Sequence, residues 1–459
     1  LLSYHRITLI FKTFPNRAGR SAIRPGRLNE RDLHHLGTQG LLADNDGDFR
    51  ARLGVFGLHV AQAEANLQAG RHRTRRNMAD LPATGRSDAA TWQAMMPWLI
   101  GTRFVQLRQG DTFWRLSQQY DTSVAAISAA NPELDPRDLR PGQTVAIPLD
   151  FPVVPTGIAF TSQVLELVLT GLLLRYPYLG SGAIGSSARG LPIWSVSIGE
   201  GETQVFYNAA HHANEWITTP VLLKFLEEYA FAYAFAAEGT GEEAEAKDMY
   251  AKATAWLVPM VNPDGVDLVT GALPEEDSYY KQAEGLASYY PGIPFPSGWK
   301  ANISGTDLNL QYPAGWEEAQ RIKYAQGFVR PGPRDYVGPS PLSAPESRAV
   351  ADFTRKNVFD RTLSYHTQGQ VLYWQYKDIY VSGAEALTER YAEVSGYTME
   401  QVPEESSNAG YKDWFIDTYR KPGCTVEAGK GMNPLPLSQF PEIYRANRRI
   451  LVEAMLYEP

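Results

Sequence analysis

Apolar positions group most clearly between residues 103 and 149. Phe104-Val105-Gln106-Leu107 reads as a short strand, and Gly110-Asp111-Thr112 supplies a turn and a helix cap. Phe113 to Tyr120 follows at helical spacing with Leu116 inward. Ser123 caps a second helix, Val124 to Ala130, that stops at Asn131-Pro132. Leu139-Arg140-Pro141-Gly142-Gln143 then turns the chain into a strand over Thr144 to Ile147. The order strand, helix, helix, strand predicts a small βααβ unit. Residues 150–156, with Pro152 and Pro155, read as a linker.

From about Gly157 the pattern changes scale. A helical period over Ser162–Arg175 is followed by strand-like runs at Pro192–Ile198 and Gln204–Tyr207. Helix and strand then alternate: helix Thr219–Ala236, strand Ala255–Met260, strand Thr362–His366, helix Ala384–Ser395, strand Gly423–Glu427 and helix Pro441–Leu456. Alternation on this scale predicts an α/β domain over 157–459, a mixed sheet flanked by helices. Upstream of 103 the pattern weakens. Leu81 to Asp88 is turn-rich and leads into a short helix from Ala89 to Leu99, while residues 1–75 show no sustained period.

Composition narrows the function classes. At 459 residues, 44% apolar and 20% charged, the chain is an ordinary globular sequence long enough for more than one domain. The net charge of −8 argues against nucleic acid as a partner. It is unevenly spread: residues 1–80 hold 13 Lys/Arg against 7 Asp/Glu, an excess of +6 that leaves −14 for the rest. The most apolar run, Val164 to Leu174, contains Glu166 and is too short to span a membrane. The first residues are too short for a signal-peptide core, and the start at Leu1 leaves an upstream piece open. The single cysteine, Cys424, excludes an intrachain disulfide and a cysteine-based metal cluster. A metal would need histidine and carboxylate. Five of the eight histidines (His5, His34, His35, His59, His72) lie in the first 75 residues, leaving His211, His212 and His366.

Those three carry the candidate chemistry. Val205 to Ala210 is an apolar strand opening into His211-His212-Ala213-Asn214-Glu215-Trp216, and strand ends of this kind place ligand sites in α/β proteins. His212 and Glu215, three apart, face the same way on a helical turn. His366 closes a second apolar strand. Two histidines and a glutamate leave one zinc position open, the catalytic pattern. The plain alternative is a polar cluster at a domain seam. His211 could replace His212, but the spacing to Glu215 favours His212.

At these residues the chain resembles the zinc carboxypeptidase family. His212 to Thr218, Asn262-Pro263-Asp264-Gly265, Gly305-Thr306-Asp307-Leu308-Asn309, His366 to Gln370, and Asp413-Trp414 with Thr425-Val426-Glu427 match its motifs in order over 157–459. His211 to Glu215 and the run Glu427 to Pro436 are similar to the bacterial γ-D-glutamyl-L-diamino-acid endopeptidases within it. Residues 103–149 resemble the LysM domain, through Gly-Asp-Thr, Asn131 and Pro-Gly-Gln. Residues 79–101 resemble the closing segment of a small, mostly helical peptidoglycan-binding domain. Residues 1–78 are either a degenerate remainder of that domain or a basic leader.

The resemblance implies one zinc ion held by His212, Glu215 and His366, with Glu427 as general base and Lys300 as the cation facing the oxyanion. It implies substrate contacts at Asn309 and Tyr411, the latter standing in for a family tyrosine absent from 404–410. The expected activity is hydrolysis of the γ-D-glutamyl–diamino acid bond in peptidoglycan stem peptides. The LysM unit would bind glycan strands, and the protein would act at the cell wall, secreted or spore-associated. Two alternatives stand beside it, a metallocarboxypeptidase releasing C-terminal residues and an inactive wall-binding protein. Family exopeptidases carry an arginine for the terminal carboxylate where this chain has Leu310, which speaks against the first. The run Glu275-Glu276-Asp277 reads as a solvated loop, and Cys424 as buried packing.

Overall fold

A computed structural model describes residues 11–15, 21–25, 96–235 and 239–458. Of residues 1–78 it covers Phe11–Pro15 (β1) and Ser21–Pro25 (β2), an antiparallel strand pair. The remaining expectations for that stretch lie outside the described residues, as does most of 79–101, whose residues 96–99 are helical. The chain divides into two compact units, 1–158 with 163–180, and 159–162 with 181–459.

In the first unit Thr102–Gln106 (β3) pairs antiparallel with Thr144–Pro148 (β4), Phe104 facing Ala146. Helices Phe113–Tyr120 (α1) and Val124–Ala130 (α2) lie between them in sequence and start where the caps predict. Thr112 Oγ1 accepts from the Arg115 N–H (3.1 Å), and Ser123 Oγ from the Ala126 N–H (2.9 Å). Leu107, Phe113, Leu116, Ile127, Val145 and Ile147 form one apolar core. Asn131 ties it together: Nδ2 donates to the Ile127 and Ala146 carbonyls (both 2.7 Å), and Oδ1 accepts from the Ala146 N–H (2.9 Å).

Helix Ser162–Arg175 (α3) has the predicted bounds, but nearly all of it belongs to the first unit, not the large domain. Side-chain chemistry explains this. The Arg175 guanidinium donates to the carbonyls of Gly101 (2.9 Å), Leu149 (2.8 Å) and Phe151 (2.8 Å). Gly171 lies so near the chain that a Cβ there would stand 2.4 Å from the Ile100 carbonyl oxygen. No helix among the described residues is long and apolar enough to cross a membrane.

The second unit is built on an eight-stranded mixed sheet. Its strands are Gly180–Ser186 (β5), Pro192–Ile198 (β6), Thr203–Ala209 (β7), Ala253–Val258 (β8), Arg361–His366 (β9), Val371–Tyr373 (β10), Thr398–Met399 (β11) and Gly423–Glu427 (β12). Their order is β11-β10-β12-β9-β7-β8-β6-β5. The central strands β12, β9, β7 and β8 run parallel. They are buried along nearly their whole length, as parallel strands covered on both faces should be. The helices are Thr218–Phe235 (α4), Gly241–Lys252 (α5), Pro263–Thr270 (α6), Ser278–Ala287 (α7), Trp316–Ala325 (α8), Pro345–Asn357 (α9), Ala384–Ser395 (α10), Tyr411–Tyr419 (α11) and Phe440–Leu456 (α12). The register sets Glu427 beside His366 and Tyr365 beside Ala209, so β7, β9 and β12 end together at one edge.

Candidate active site

The turn after β7 is pinned before any side chain acts. Ala210 takes a left-handed backbone (φ +52°), a conformation costing a non-glycine residue of order 1–3 kcal/mol. The surroundings hold it there. The N–H groups of Val261 and Asn262 donate to the Ala209 and Ala210 carbonyls (3.0 and 3.1 Å). Asn262 Nδ2 donates to the carbonyls of His211 (3.2 Å) and Ala301 (3.0 Å), and the Ala213 N–H to Lys300 O (3.0 Å). Gly265 packs so tightly that a Cβ would stand 2.7 Å from Ala301 O and 2.8 Å from Ala213 Cβ. The work of Asn262-Pro263-Asp264-Gly265 is therefore to brace this turn.

Three buried side chains converge on it. His212 Nδ1 lies 3.0 Å from Glu215 Oε1 and 3.1 Å from His366 Nδ1, and His366 Nδ1 lies 2.9 Å from Glu215 Oε2. All three can place a ligand atom within 4.8 Å of the others. Atoms about 2.0–2.1 Å from a tetrahedral ion stand roughly 3.3 Å apart, so the donor set fits a divalent cation. Burial works against charge on His212, but Glu215 and Asp307 outweigh it and raise the ring's pKa to about 9. Glu215 is held below the usual carboxylate range against its burial, chiefly by His212. Two imidazoles facing one carboxylate in a dry pocket call for a shared positive charge, and a bound cation answers that demand.

Outer groups fix these ligands. Asp307 Oδ1 faces His212 Nε2 (3.1 Å) and accepts from the Asn309 N–H (3.1 Å), while Oδ2 accepts from the Asp335 N–H (3.2 Å). Asn433 Nδ2 donates to the Thr367 carbonyl (2.9 Å) and approaches Glu215 Oε1 at 3.4 Å. His211 is buried, with Nε2 2.9 Å from the Tyr312 hydroxyl, and burial keeps its ring pKa well below the usual value. It packs behind the site and is not one of the converging three.

Glu427 is the exception among the site's carboxylates. It is half-buried, and its carboxylate accepts no hydrogen bond among the described residues. Burial, reinforced by Glu215, raises its pKa to about 8, with Lys300 and His212 opposing. The charge of the half-buried Lys300 also reaches His212, Asp307 and His366. His212, Glu215, His366, Glu427 and Lys300 thus gather at one place from four separated segments.

Two expected substrate residues stand differently. Asn309 is half-buried, with Oδ1 accepting from the Tyr411 N–H (3.0 Å). Tyr411 is a correction. It is fully buried, its hydroxyl is 2.9 Å from Thr354 Oγ1, and Phe206, Tyr312 and Trp414 surround its ring. The first turn of α11 points it into the core, not to the surface. Leu310 lies in an apolar cluster with Trp316, Ala319, Val337 and Ala409. Glu275 and Glu276 are exposed as expected, but Asp277 caps α7 through the Tyr279 N–H (2.8 Å) and pairs with Arg189 (3.2 Å). Burial pushes the Cys424 thiol to about 12, which suits packing. Sequence reasoning missed Asp307, Asn433 and Asp335 as site residues. Asp307 had a signal, since it lies inside a quoted motif.

The fold has known counterparts. A crystal structure of thrombin activatable fibrinolysis inhibitor superposes with a TM-score of 0.51 at 19% identity, over 65% of this chain and 74% of that one. Sequence profiles are more specific: that of the zinc carboxypeptidase family matches residues 168–449, and that of the LysM domain matches 105–148. The chain belongs to the zinc carboxypeptidase family and carries a LysM domain. Gamma-D-glutamyl-L-diamino acid endopeptidase 1 of Lysinibacillus sphaericus is 43% identical over 274 residues, 60% of this chain and 66% of that protein's length. The uncharacterized protein YqgT of Bacillus subtilis (strain 168) is 40% identical over 301 residues, 65% of this chain and 77% of that one.

Proposed function

We propose that the chain is a zinc-dependent peptidase that hydrolyses the bond between γ-D-glutamate and the diamino acid of peptidoglycan stem peptides. The observation that carries this is the convergence of His212, Glu215 and His366 with Glu427 on the neighbouring strand end. His212, Glu215 and His366 would hold a single zinc ion, which would supply Lewis acidity and make a water easier to deprotonate near neutral pH. Glu427, bound by no donor, is free to take a proton from the attacking water and return it to the leaving amine. Lys300 offers an ammonium to the developing oxyanion. Asn309 can donate from Nδ2 to the substrate backbone.

Two features select an endopeptidase over a carboxypeptidase. The arginine that would clamp a terminal carboxylate is replaced by Leu310, which is buried. The 43% identical relative is named for the same bond. The LysM domain supports a substrate in the cell wall, where it would bind glycan strands and hold the enzyme at its peptides. Digestion of defined stem peptides with mass spectrometry of the products tests the reading. Cleavage after γ-D-glutamate, abolished by chelation and restored by zinc, is expected. Release confined to C-terminal residues with a free carboxylate would overturn it.

A further inference from the structure

Lys300 has a cationic neighbour that the reaction above does not use. The N–H groups of Lys300 and Ala301 both donate to the Pro333 carbonyl (2.7 and 3.0 Å), so residues 333–335 run alongside Lys300. The next residue, Arg334, donates from Nε to Asp335 Oδ2 at 2.5 Å. Asp335 is itself bound to the site, its N–H donating to Asp307 Oδ2, the carboxylate that orients His212. Asp335 does not neutralise Arg334 alone, because its Oδ1 pairs with the buried Lys323 at 3.0 Å. Arg334 is anchored by Nε, with 43% of its side chain exposed. Its two terminal nitrogens make no hydrogen bond among the described residues. Burial opposes its charge, but Asp335 first, and then Asp307 and Glu215, hold its pKa above the usual value.

A guanidinium held at its root with a free fork fits a carboxylate, which it can bind through two parallel N–H···O bonds. The substrate proposed above has one in the right place. When glutamate is linked through its γ-carboxyl, its α-carboxylate stays free, four bonds from the scissile carbonyl carbon. A peptide joined through ordinary α-linkages has a carboxylate at that distance only where the residue before the bond is itself a glutamate. We propose that Arg334 is the substrate-binding residue that grips the α-carboxylate of the γ-linked glutamate. This assignment rests on the γ-D-glutamyl reading. Lys300 and Arg334 then divide the work, the ammonium facing the reacting carbonyl and the fork facing the carboxylate beside it.

The experiment compares two synthetic stem peptides, one with a free glutamate α-carboxylate and one with the α-carboxamide. Wild type and the variants R334K and R334Q are assayed for kcat/KM, with zinc content and thermal midpoint as controls. Wild type is expected to prefer the carboxylate by about 10- to 100-fold, the range of a hydrogen bond to a charged group. R334Q should lose far more on the carboxylate than on the amide, so that the preference collapses towards one, and R334K should fall between. Equal cleavage of both peptides by wild type, or an equal loss on both in R334Q, would overturn the role of Arg334 and leave the γ-D-glutamyl reading standing. Cleavage of neither peptide by wild-type, zinc-loaded protein would sink that reading and this assignment with it.

Discussion

Asn131 in the small unit and Asp267 in the large one do the same task with different chemistry. Each is a buried polar side chain that ties distant segments through hydrogen bonds. Asn131 meets two carbonyls and one N–H, so it needs donors and an acceptor together, which only an amide offers. Asp267 meets donors alone: Oδ1 accepts from the Ser162 N–H (2.8 Å) and Oδ2 from its hydroxyl (2.6 Å). Asp264, facing Ser187 Oγ and the Arg189 N–H, and Glu346, facing the Ala188 N–H and Asn302 Nδ2, repeat that arrangement. The polarity of the partners selects the side chain. A carboxylate tie also brings a charge, and burial acts on it. Among the described residues, the large unit thus carries buried carboxylate ties that the small unit does not. In that setting a half-buried carboxylate with no donors among the described residues, Glu427, stands out as one kept for chemistry.

The sharpest test of that contrast is Glu427→Gln. Replacing a tie should loosen the fold, whereas replacing a reactive group should not. We expect kcat to fall by about 10²–10⁴-fold with zinc content and unfolding midpoint unchanged. A destabilised protein with retained turnover would place Glu427 among the ties.

On the other side of the comparison, Asn131→Ala removes three bonds from the small core and strands the N–H and carbonyl of Ala146. A cost of about 3 kcal/mol is expected. Glycan-strand pull-down should fail while kcat on soluble stem peptide stays within twofold. Loss of both together would mean that the units do not act separately.

Asp307→Asn tests a tie that serves the metal. The amide would keep one acceptor for the Asn309 and Asp335 N–H groups but weaken the hold on His212. Zinc affinity should drop about 10- to 100-fold in competition with a chelator, more than the folding midpoint moves. Unchanged zinc affinity would make Asp307 a loop tie only.

The same contrast explains what the sequence disclosed. The small unit was legible because its signals are local. Thr112 and Ser123 cap their own helices, and Leu116 faces the core at its expected spacing. Strands β7, β9 and β12 and helices α4, α10 and α12 were visible through long apolar runs. Helices α6 to α8 and strands β10 and β11 were not, since each is short and sits within loop-like sequence. In the site, His212 and Glu215 announced themselves by spacing. Asn433 and Asp335 could not, because they meet the site across 218 and 28 residues, at Glu215 and at Asp307. Tyr411 misled for the same reason: closeness in sequence to the expected tyrosine says nothing of which face of α11 it occupies.

The smallest effect is predicted for Asp267→Asn, where sign is the test. Burial raises the Asp267 carboxyl to about 6 in the folded chain, against its hydrogen bonds to Ser162, with Asp264 adding and Arg189 opposing. The folded state therefore holds this proton more tightly than the unfolded chain, whose carboxyl titrates near 3.9. Stability from this group is fully present below about pH 4 and is lost as pH rises through 6. Asparagine keeps an acceptor for the Ser162 N–H and offers its amide to the Ser162 hydroxyl, so it preserves the tie without the charge. The variant should match wild type near pH 4 and exceed it by on the order of 1–2 kcal/mol at pH 8, read from denaturant unfolding at both pH values. Destabilisation at pH 8 would show that the ionised carboxylate is the form Ser162 requires. The buried acids of the large unit would then hold it as firmly as the amide holds the small one.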